Sequence, residues 1–261
     1  MTPGSVVPGA VSTSVARLLT GPPRPARVVA ATRYAVHLAT GDPGLPALAV
    51  VTRDAIRLPN AIVVPYPCAE LPLDAARPGT PATLGADGVR AGPYRVRAAG
   101  RWTPPRVAPG RPHPPFRGAD LERLLAAWAP PAPRPVADGL DRLRTALRAG
   151  RPDRIAAAAH ALLGLGPGLT PSGDDILCGL LLALPPPLSA PVTAAVADAA
   201  RRTTLLSAAL LRHAVRGECV APAHALLTGR DLPAALRGLL TVGHHSGGDL
   251  ARGVAAALAL G

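Results

Sequence analysis

The sequence contains no lysine: all 28 of its basic residues are arginine. A lysine-bearing phosphate loop, a Schiff-base lysine and a lysine general base are therefore excluded. Aromatic residues make up only 2% of the chain, so the stacking platform typical of single-strand nucleic-acid binders is missing too. The arginines are scattered along the chain, and we therefore expect no nucleic-acid partner despite the formal net charge of +12.

Cysteine and long apolar runs are also scarce. Cys68, Cys178 and Cys219 are odd in number and far apart, which favours reduced thiols over a disulfide framework or a zinc site. The longest apolar run, from Ile176 to Leu184, is too short to cross a bilayer. The N-terminus lacks the basic-then-apolar order of a signal peptide. These features predict a cytoplasmic protein with no membrane partner.

The apolar spacing predicts an α+β protein with a small β-rich N-terminal domain (residues 1–112) and a mainly α-helical C-terminal domain (residues 113–261). Short β-rich runs begin at Ala26, Ala47 and Ala61, and residues 94–97 alternate apolar and basic side chains. The proline-rich stretch TPPRVAPGRPHPP after Trp102 indicates a linker.

Beyond that stretch the apolar residues take helical spacing, at Leu121, Leu124, Leu125 and Trp128 and again at Leu140, Leu143 and Leu147. Further helices are predicted over residues 153–163, 174–184, 190–216, 232–240 and 249–260.

A glycine-led turn into a helix occurs twice, as SGDDILCG from Ser172 and as SGGDLARG from Ser246. Each copy has an acid in the first helical turn and a glycine four residues later, Gly179 or Gly253. An interior glycine costs a helix about 1 kcal/mol relative to alanine. We therefore expect close helix–helix or backbone–ligand approach at both glycines.

If these two helices pack together, their free N-terminal N–H groups and positive dipole ends form an anion site that needs no lysine. The acids then have two interpretations: Asp174, Asp175 or Asp249 holds Mg²⁺ with a phosphate oxygen, or an acid accepts hydrogen bonds from a substrate NH₂ group. Ordinary helix capping and packing explain the motifs without any ligand.

Other polar residues are candidates for the same pocket. His245 lies four residues before Asp249 and is a candidate anion ligand or acid–base group. Thr203, Thr204 and Ser207 place hydroxyl groups on the long helix predicted over residues 190–216.

The segment GLGPGLTPSGDDILCGLLLAL, from Gly164, and the later GHHSGGDLARGVAAAL resemble the AllH-type family. Weaker similarities to the N-terminal region of that family are LPNAIVV near Leu58, PGTPATL near Pro78 and the RW pair at Trp102. The stretch TTLLSAALLRHAVRGE from Thr203 is similar to the family's middle helix. The resemblance implies a subunit of oxamate carbamoyltransferase, which acts in anaerobic allantoin and purine breakdown. That enzyme transfers a carbamoyl group between oxalurate and phosphate, giving oxamate and carbamoyl phosphate, and acts with FdrA-like and AllG-like partner subunits.

The candidate catalytic residues are Asp174, Asp175, Asp249 and His245, of which His245 departs from the family's pattern. The candidate substrate- and anion-binding residues are Gly166, Gly168, Thr170, Ser172, Gly173, Ser246, Gly247, Thr204 and Ser207. The sequence requires no cofactor, and the one candidate is a Mg²⁺ ion bound by Asp174 and Asp175. The alternative function is a non-catalytic scaffold or regulatory subunit of a multi-protein enzyme complex, in which the two motifs only pack helices.

Overall fold

The computed structural model describes residues 5–108 and 114–260 and contains two compact units, Met1–Pro104 and Pro105–Gly261. The first holds strands and the second helices, so the predicted α+β class is confirmed. The predicted boundary after residue 112 lies outside the described residues. In the described part of the chain, no helix is long and apolar enough to span a membrane.

The first unit is a closed barrel with the strand order β1-β5-β4-β3-β2-β6-β7-β8. Most neighbours are antiparallel, but β1 pairs with β8 and β4 with β5 in parallel. Side chains along a strand alternate between the buried and the exposed side of the sheet. In β8, Val96 is buried while Arg95 and Arg97 are exposed, as the sequence predicts. The strands are β1 (Val6–Ser12), β2 (Arg24–Ala31), β3 (Ala35–Ala39), β4 (Ala47–Val51), β5 (Ala61–Val63), β6 (Pro81–Gly85), β7 (Gly88–Ala91) and β8 (Tyr94–Trp102).

The second unit is helical, and the helices predicted over residues 153–163, 174–184, 232–240 and 249–260 are all present. Those predicted to start at residues 174 and 249 begin earlier, at Ser172 and Ser246. The helices are α1 (Gly118–Trp128), α2 (Arg134–Arg148), α3 (Pro152–Leu162), α4 (Ser172–Ala183), α5 (Pro186–Ala195), α6 (Leu205–Val215), α7 (Ala221–Thr228), α8 (Leu232–Leu240) and α9 (Ser246–Leu258).

The single long helix predicted over residues 190–216 is wrong. The chain forms α5, a 3-10 turn at Ala199–Arg201 and then α6. Thr204 is extended, and its hydroxyl oxygen accepts a hydrogen bond from the N–H of Ser207 at 3.0 Å. This N-cap starts a new helix, so Thr203 and Thr204 precede α6 and do not lie on a helix face.

The first part of the predicted linker is tied to the helical unit. Arg106 forms an isolated bridge with Glu218, and the Val107 N–H donates to the Gly217 carbonyl at 2.9 Å. The connection between α6 and α7 is therefore held by the chain that enters this unit. Residues 109–113 of the same stretch lie outside the described part.

Candidate functional site

Helices α4 and α9 cross at their interior glycines. A Cβ atom on Gly179 would lie 2.0 Å from the carbonyl oxygen of Leu250, and one on Gly253 would lie 2.0 Å from that of Ile176. Ile176 and Leu250 occupy the same position in the two sequence motifs, so the crossing is reciprocal, like a two-fold interface. The close approach expected at these glycines is helix against helix.

The glycines at the helix starts repeat this pattern. A Cβ atom on Gly173 would lie 2.0 Å from the carbonyl oxygen of Leu162, and one on Gly247 would lie 1.9 Å from that of Leu239. The glycine N–H groups donate to carbonyl oxygens of their own loops, those of Leu165 and Val242, each at 2.9 Å. These two N–H groups are therefore engaged within the protein, contrary to the expectation that they are free for an anion.

The loops that lead into α4 and α9 meet through their hydroxyl side chains. Thr170 Oγ1 and Ser246 Oγ are 2.9 Å apart, which joins the two motifs where their helices begin. The first loop turns at Gly166 and Gly168, whose φ angles of +122° and +91° favour glycine. Thr204 anchors the same loop by donating from its hydroxyl to the Leu169 carbonyl at 2.5 Å.

Asp174 is held on both of its carboxyl oxygens. Oδ1 accepts the Gly164 N–H at 2.7 Å, and Oδ2 accepts the Thr203 hydroxyl. Burial raises the pKa of Asp174, and the hydrogen bonds from Thr203 and Gly164, with the nearby Ser207 hydroxyl, oppose that rise. The Oγ atom of Ser207 is buried and has no well-aligned hydrogen-bond partner among the described residues.

Asp175 lies at the junction of the two loops and is only 6% exposed. Burial raises the pKa of Asp175 well above its ordinary value, and the carboxyl groups of Asp249 and Asp174 raise it further. The hydroxyl groups of Ser246 and Thr170 act on the same carboxyl and offset part of the rise. Even so, Asp175 Oδ2 is buried without a hydrogen-bond partner in the described part of the chain.

Asp249 differs from Asp175, although the two occupy the same position in the two motifs. Its side chain is 2% exposed and its Oδ1 accepts a hydrogen bond from Arg252 Nη1 at 2.8 Å. The other terminal nitrogen of Arg252, Nη2, donates to the Pro130 carbonyl. Asp249 is therefore a buried acid with a charged partner.

Other predicted site residues take more peripheral positions. The side chain of His245 is exposed, and its ring lies edge-on to that of His244 with centroids 4.3 Å apart. Among the described residues its imidazole ring makes no hydrogen bond to the three acids, while its backbone carbonyl accepts the Asp249 N–H at 2.9 Å. Ser172 is buried at the first position of α4.

A metal site is not formed by side chains alone: among residues 5–108 and 114–260, no group of three histidine, cysteine or acidic side chains is placed to hold an ion. Both oxygens of Asp174 already accept hydrogen bonds. A Mg²⁺ ion on Asp174 and Asp175 would therefore depend on ligand and water oxygens.

The two motifs and the helices between them are also the part of the chain that matches a known family. Residues 162–258 match the family model described as oxamate carbamoyltransferase subunit AllH. We call the matched residues, 162–258, the AllH segment. No solved structure matches the chain. The AllH segment runs from the last residue of α3 to the last residue of α9, so it contains both glycine-led loops and all three acids.

Sequence reasoning missed one polar residue of the AllH segment, Arg252. Its signal is the i,i+3 spacing from Asp249, which places an acid and a base on the same helix face. The sequence alone gives no reason to choose it over other aspartate–arginine pairs with that spacing, such as Asp120 and Arg123. The two arginines differ in burial: the side chain of Arg252 is 14% exposed, whereas that of Arg123 is 74% exposed.

Asp175→Asn is expected to stabilise the AllH segment at neutral pH. Because the pKa of Asp175 is raised by folding, the folded state binds the proton more tightly than the unfolded state. The free energy of unfolding therefore falls as pH rises above the unfolded pKa, near 3.8. Denaturant unfolding of both proteins across pH should show an advantage for the variant that shrinks on acidification; an advantage that grows on acidification would contradict this assignment.

Proposed function

We propose that this protein is a subunit of a carbamoyltransferase resembling oxamate carbamoyltransferase, and that the junction of its two motifs binds the carbamoyl-bearing substrate. The observation that carries the proposal is Asp175, whose buried Oδ2 has no partner among the described residues. Leaving a buried polar atom unpaired costs about 1–3 kcal/mol, and a ligand that pairs with it offsets this cost. The match to a family named for a carbamoyltransferase subunit supports a carbamoyl compound as that ligand.

In the proposed reaction, a phosphate oxygen attacks the carbamoyl carbon of oxalurate. The bond from that carbon to the nitrogen of the oxamate half breaks, and this nitrogen takes up the proton that phosphate loses. The products are carbamoyl phosphate and oxamate. Asp175 and the hydroxyl groups of Thr170 and Ser246 are the groups that would position the substrate.

Partner subunits belong to the same proposal. The family's name describes a subunit, and a subunit implies partner proteins. We propose FdrA-like and AllG-like proteins as the partners, with either this subunit or the assembled complex forming the complete site.

Carbamoyl phosphate, oxamate and oxalurate are each expected to raise the Tm of the purified protein or of its complex. At a ligand concentration 100 times Kd the gain is about 2.7 kcal/mol, or roughly 5–10 °C for a unit of this size. Asp175→Ala should lose most of this shift. Differential scanning fluorimetry with each ligand, with and without Mg²⁺, provides the measurement.

Asp153→Ala is the matched control, because Asp153 is an acid in the first turn of α3 but is exposed. It should keep the full ligand shift. If no ligand stabilises either the protein or its complex, the site assignment is wrong, and the result supports the alternative function as a non-catalytic scaffold. The interlocked glycines and the engaged N–H groups of Gly173 and Gly247 are the observations that favour that alternative.

A further inference from the structure

The two motifs of the AllH segment cross at equivalent glycines, but their side chains differ in charge. Asp175 of α4 and Asp249 of α9 are equivalent positions, as are Cys178 and Arg252. In the second motif the arginine neutralises its aspartate at 2.8 Å. In the first motif the equivalent residue, Cys178, is a buried thiol, and burial raises its pKa well above the ordinary value. The first motif therefore supplies no cation for Asp175.

The rest of the surroundings of Asp175 supply no free cation either. Within the described residues, the charged groups that act on it are Asp174 and Asp249, and Arg252 is already bound to Asp249. Helix α6 presents the Ser207 hydroxyl to the neighbouring Asp174, and His213 of that helix is paired with Glu218. Helix α5 has no titratable residue. The remaining titratable residues of the packed helices are exposed (Arg134, Asp138, Asp141, Arg142, Arg148, Asp153, Arg154 and His160) or only partly buried (Arg144, paired with Glu122, and Arg212).

A buried carboxyl group that has acidic neighbours and no cation is more stable in its neutral form than in its ionised form. A neutral carboxyl has one O–H donor and one C=O acceptor side by side, whereas a carboxylate has acceptors only. A primary amide or carbamoyl end, C(=O)NH₂, presents the complementary acceptor and donor side by side. The two groups can therefore form a pair of parallel hydrogen bonds.

We propose that Asp175 binds the C(=O)NH₂ end of the ligand as a neutral carboxylic acid, donating one hydrogen bond to the carbonyl oxygen and accepting one from the NH₂ group. The unpartnered Oδ2, 6% exposure of the residue and the two neighbouring acids carry this inference. It rests on the proposed function, since it assigns the ligand class of the same site.

The pair of hydroxyl groups that joins the two motifs lies beside Asp175. Thr170 and Ser246 are half-buried, and both act on the Asp175 carboxyl. A ligand that pairs with Oδ2 therefore binds next to these two hydroxyl groups.

Oxamate and oxalate separate this inference from simple anion binding, because oxalate has the same shape with a carboxylate in place of the amide. Isothermal titration of the protein, or of its complex, should give tighter binding for oxamate. Asp175→Asn should stay within about threefold of the wild type, since asparagine also offers one donor and one acceptor. Asp175→Ala should lose about 10- to 100-fold, as expected for two hydrogen bonds.

The pH dependence gives a second readout with a fixed sign. Wild-type affinity for oxamate should fall as pH rises, because deprotonation removes the only donor of Asp175. Asp175→Asn should bind oxamate with an affinity that does not change over the same range. Equal affinity of the wild type for oxamate and oxalate would overturn the inference.

The failure of this inference differs from the failure of the proposed function. If wild-type protein and complex bind no carbamoyl compound, both fail. If they bind oxamate but Asp175→Asn loses as much affinity as Asp175→Ala, and wild-type binding strengthens with pH, Asp175 acts as an ionised acceptor. The carbamoyl site then stands and the neutral-acid assignment is wrong.

Discussion

Gly179→Ala is expected to destabilise the helical unit by about 3 kcal/mol, at the upper end of the usual cost of overpacking. The added Cβ would lie 2.0 Å from the Leu250 carbonyl oxygen and 2.9 Å from its carbon. These are backbone atoms of α9, so no side chain can turn aside to relieve the contact. The helices would have to separate, which would also disturb the crossing at Gly253.

Gly238→Ala is the matched control for this substitution. Gly238 lies inside α8, and a Cβ atom there would meet nothing within 4 Å. Alanine at that position should stabilise the protein by about 0.5–1 kcal/mol through helix propensity and chain entropy. Thermal unfolding of both variants should therefore give Tm changes of opposite sign, with a loss of roughly 6–12 °C for Gly179→Ala. A neutral or stabilising Gly179→Ala would mean that α4 and α9 are not in backbone contact.

The repeated motif is the feature for which the sequence predicts most about the site. Two copies in one register, each with an interior glycine, indicate two similar helices with a reason to approach closely, and α4 and α9 do so. The sequence could not show that Gly173 and Gly247 use their N–H groups within their own loops. That detail depends on how each loop folds back on the helix before it, which is a matter of backbone geometry and leaves no compositional signal.

The break between α5 and α6 illustrates a local limit of sequence reasoning. Residues 190–216 are rich in alanine and leucine, and summed helix propensity favours one continuous helix. The N-cap at Thr204 and its bond to the Leu169 carbonyl override that preference, because they tie the start of α6 to the first motif loop. The Thr204 hydroxyl, predicted to lie on a helix face, is therefore both the helix cap and a loop anchor.

The barrel shows a limit of a different kind. The alternation of apolar and polar residues predicts strands such as β8. Closure of the barrel, however, depends on the parallel pairing of β8 with β1, the last and first strands in the sequence of this unit. Local patterns do not encode which distant strands become neighbours. The run predicted from Ala26 also divides into β2 and β3, because the Thr32 hydroxyl accepts the N–H groups of Tyr34 and Ala35 and closes a turn.

Arg252→Met is expected to destabilise the helical unit by about 3 kcal/mol, because it leaves the carboxyl group of Asp249 buried without its charged partner. Methionine keeps much of the apolar volume, so the loss reports mainly on charge. The substitution also removes the bond from Arg252 to the Pro130 carbonyl. The free energy of unfolding, measured with denaturant, gives the size of the effect.

The double variant Asp249→Asn/Arg252→Met separates these contributions. If the unpaired charge dominates, replacing Asp249 as well should recover more than half of the lost stability, because a neutral amide is far less costly to bury than an unpaired carboxylate. Arg123→Met is the matched control: Arg123 and Asp120 have the same i,i+3 spacing at 3.0 Å but are exposed, so almost no change is expected. An Arg252→Met variant no less stable than this control would show that the charges of the second motif are not paired in the folded protein, and with that the contrast between Asp249 and Asp175 would be lost.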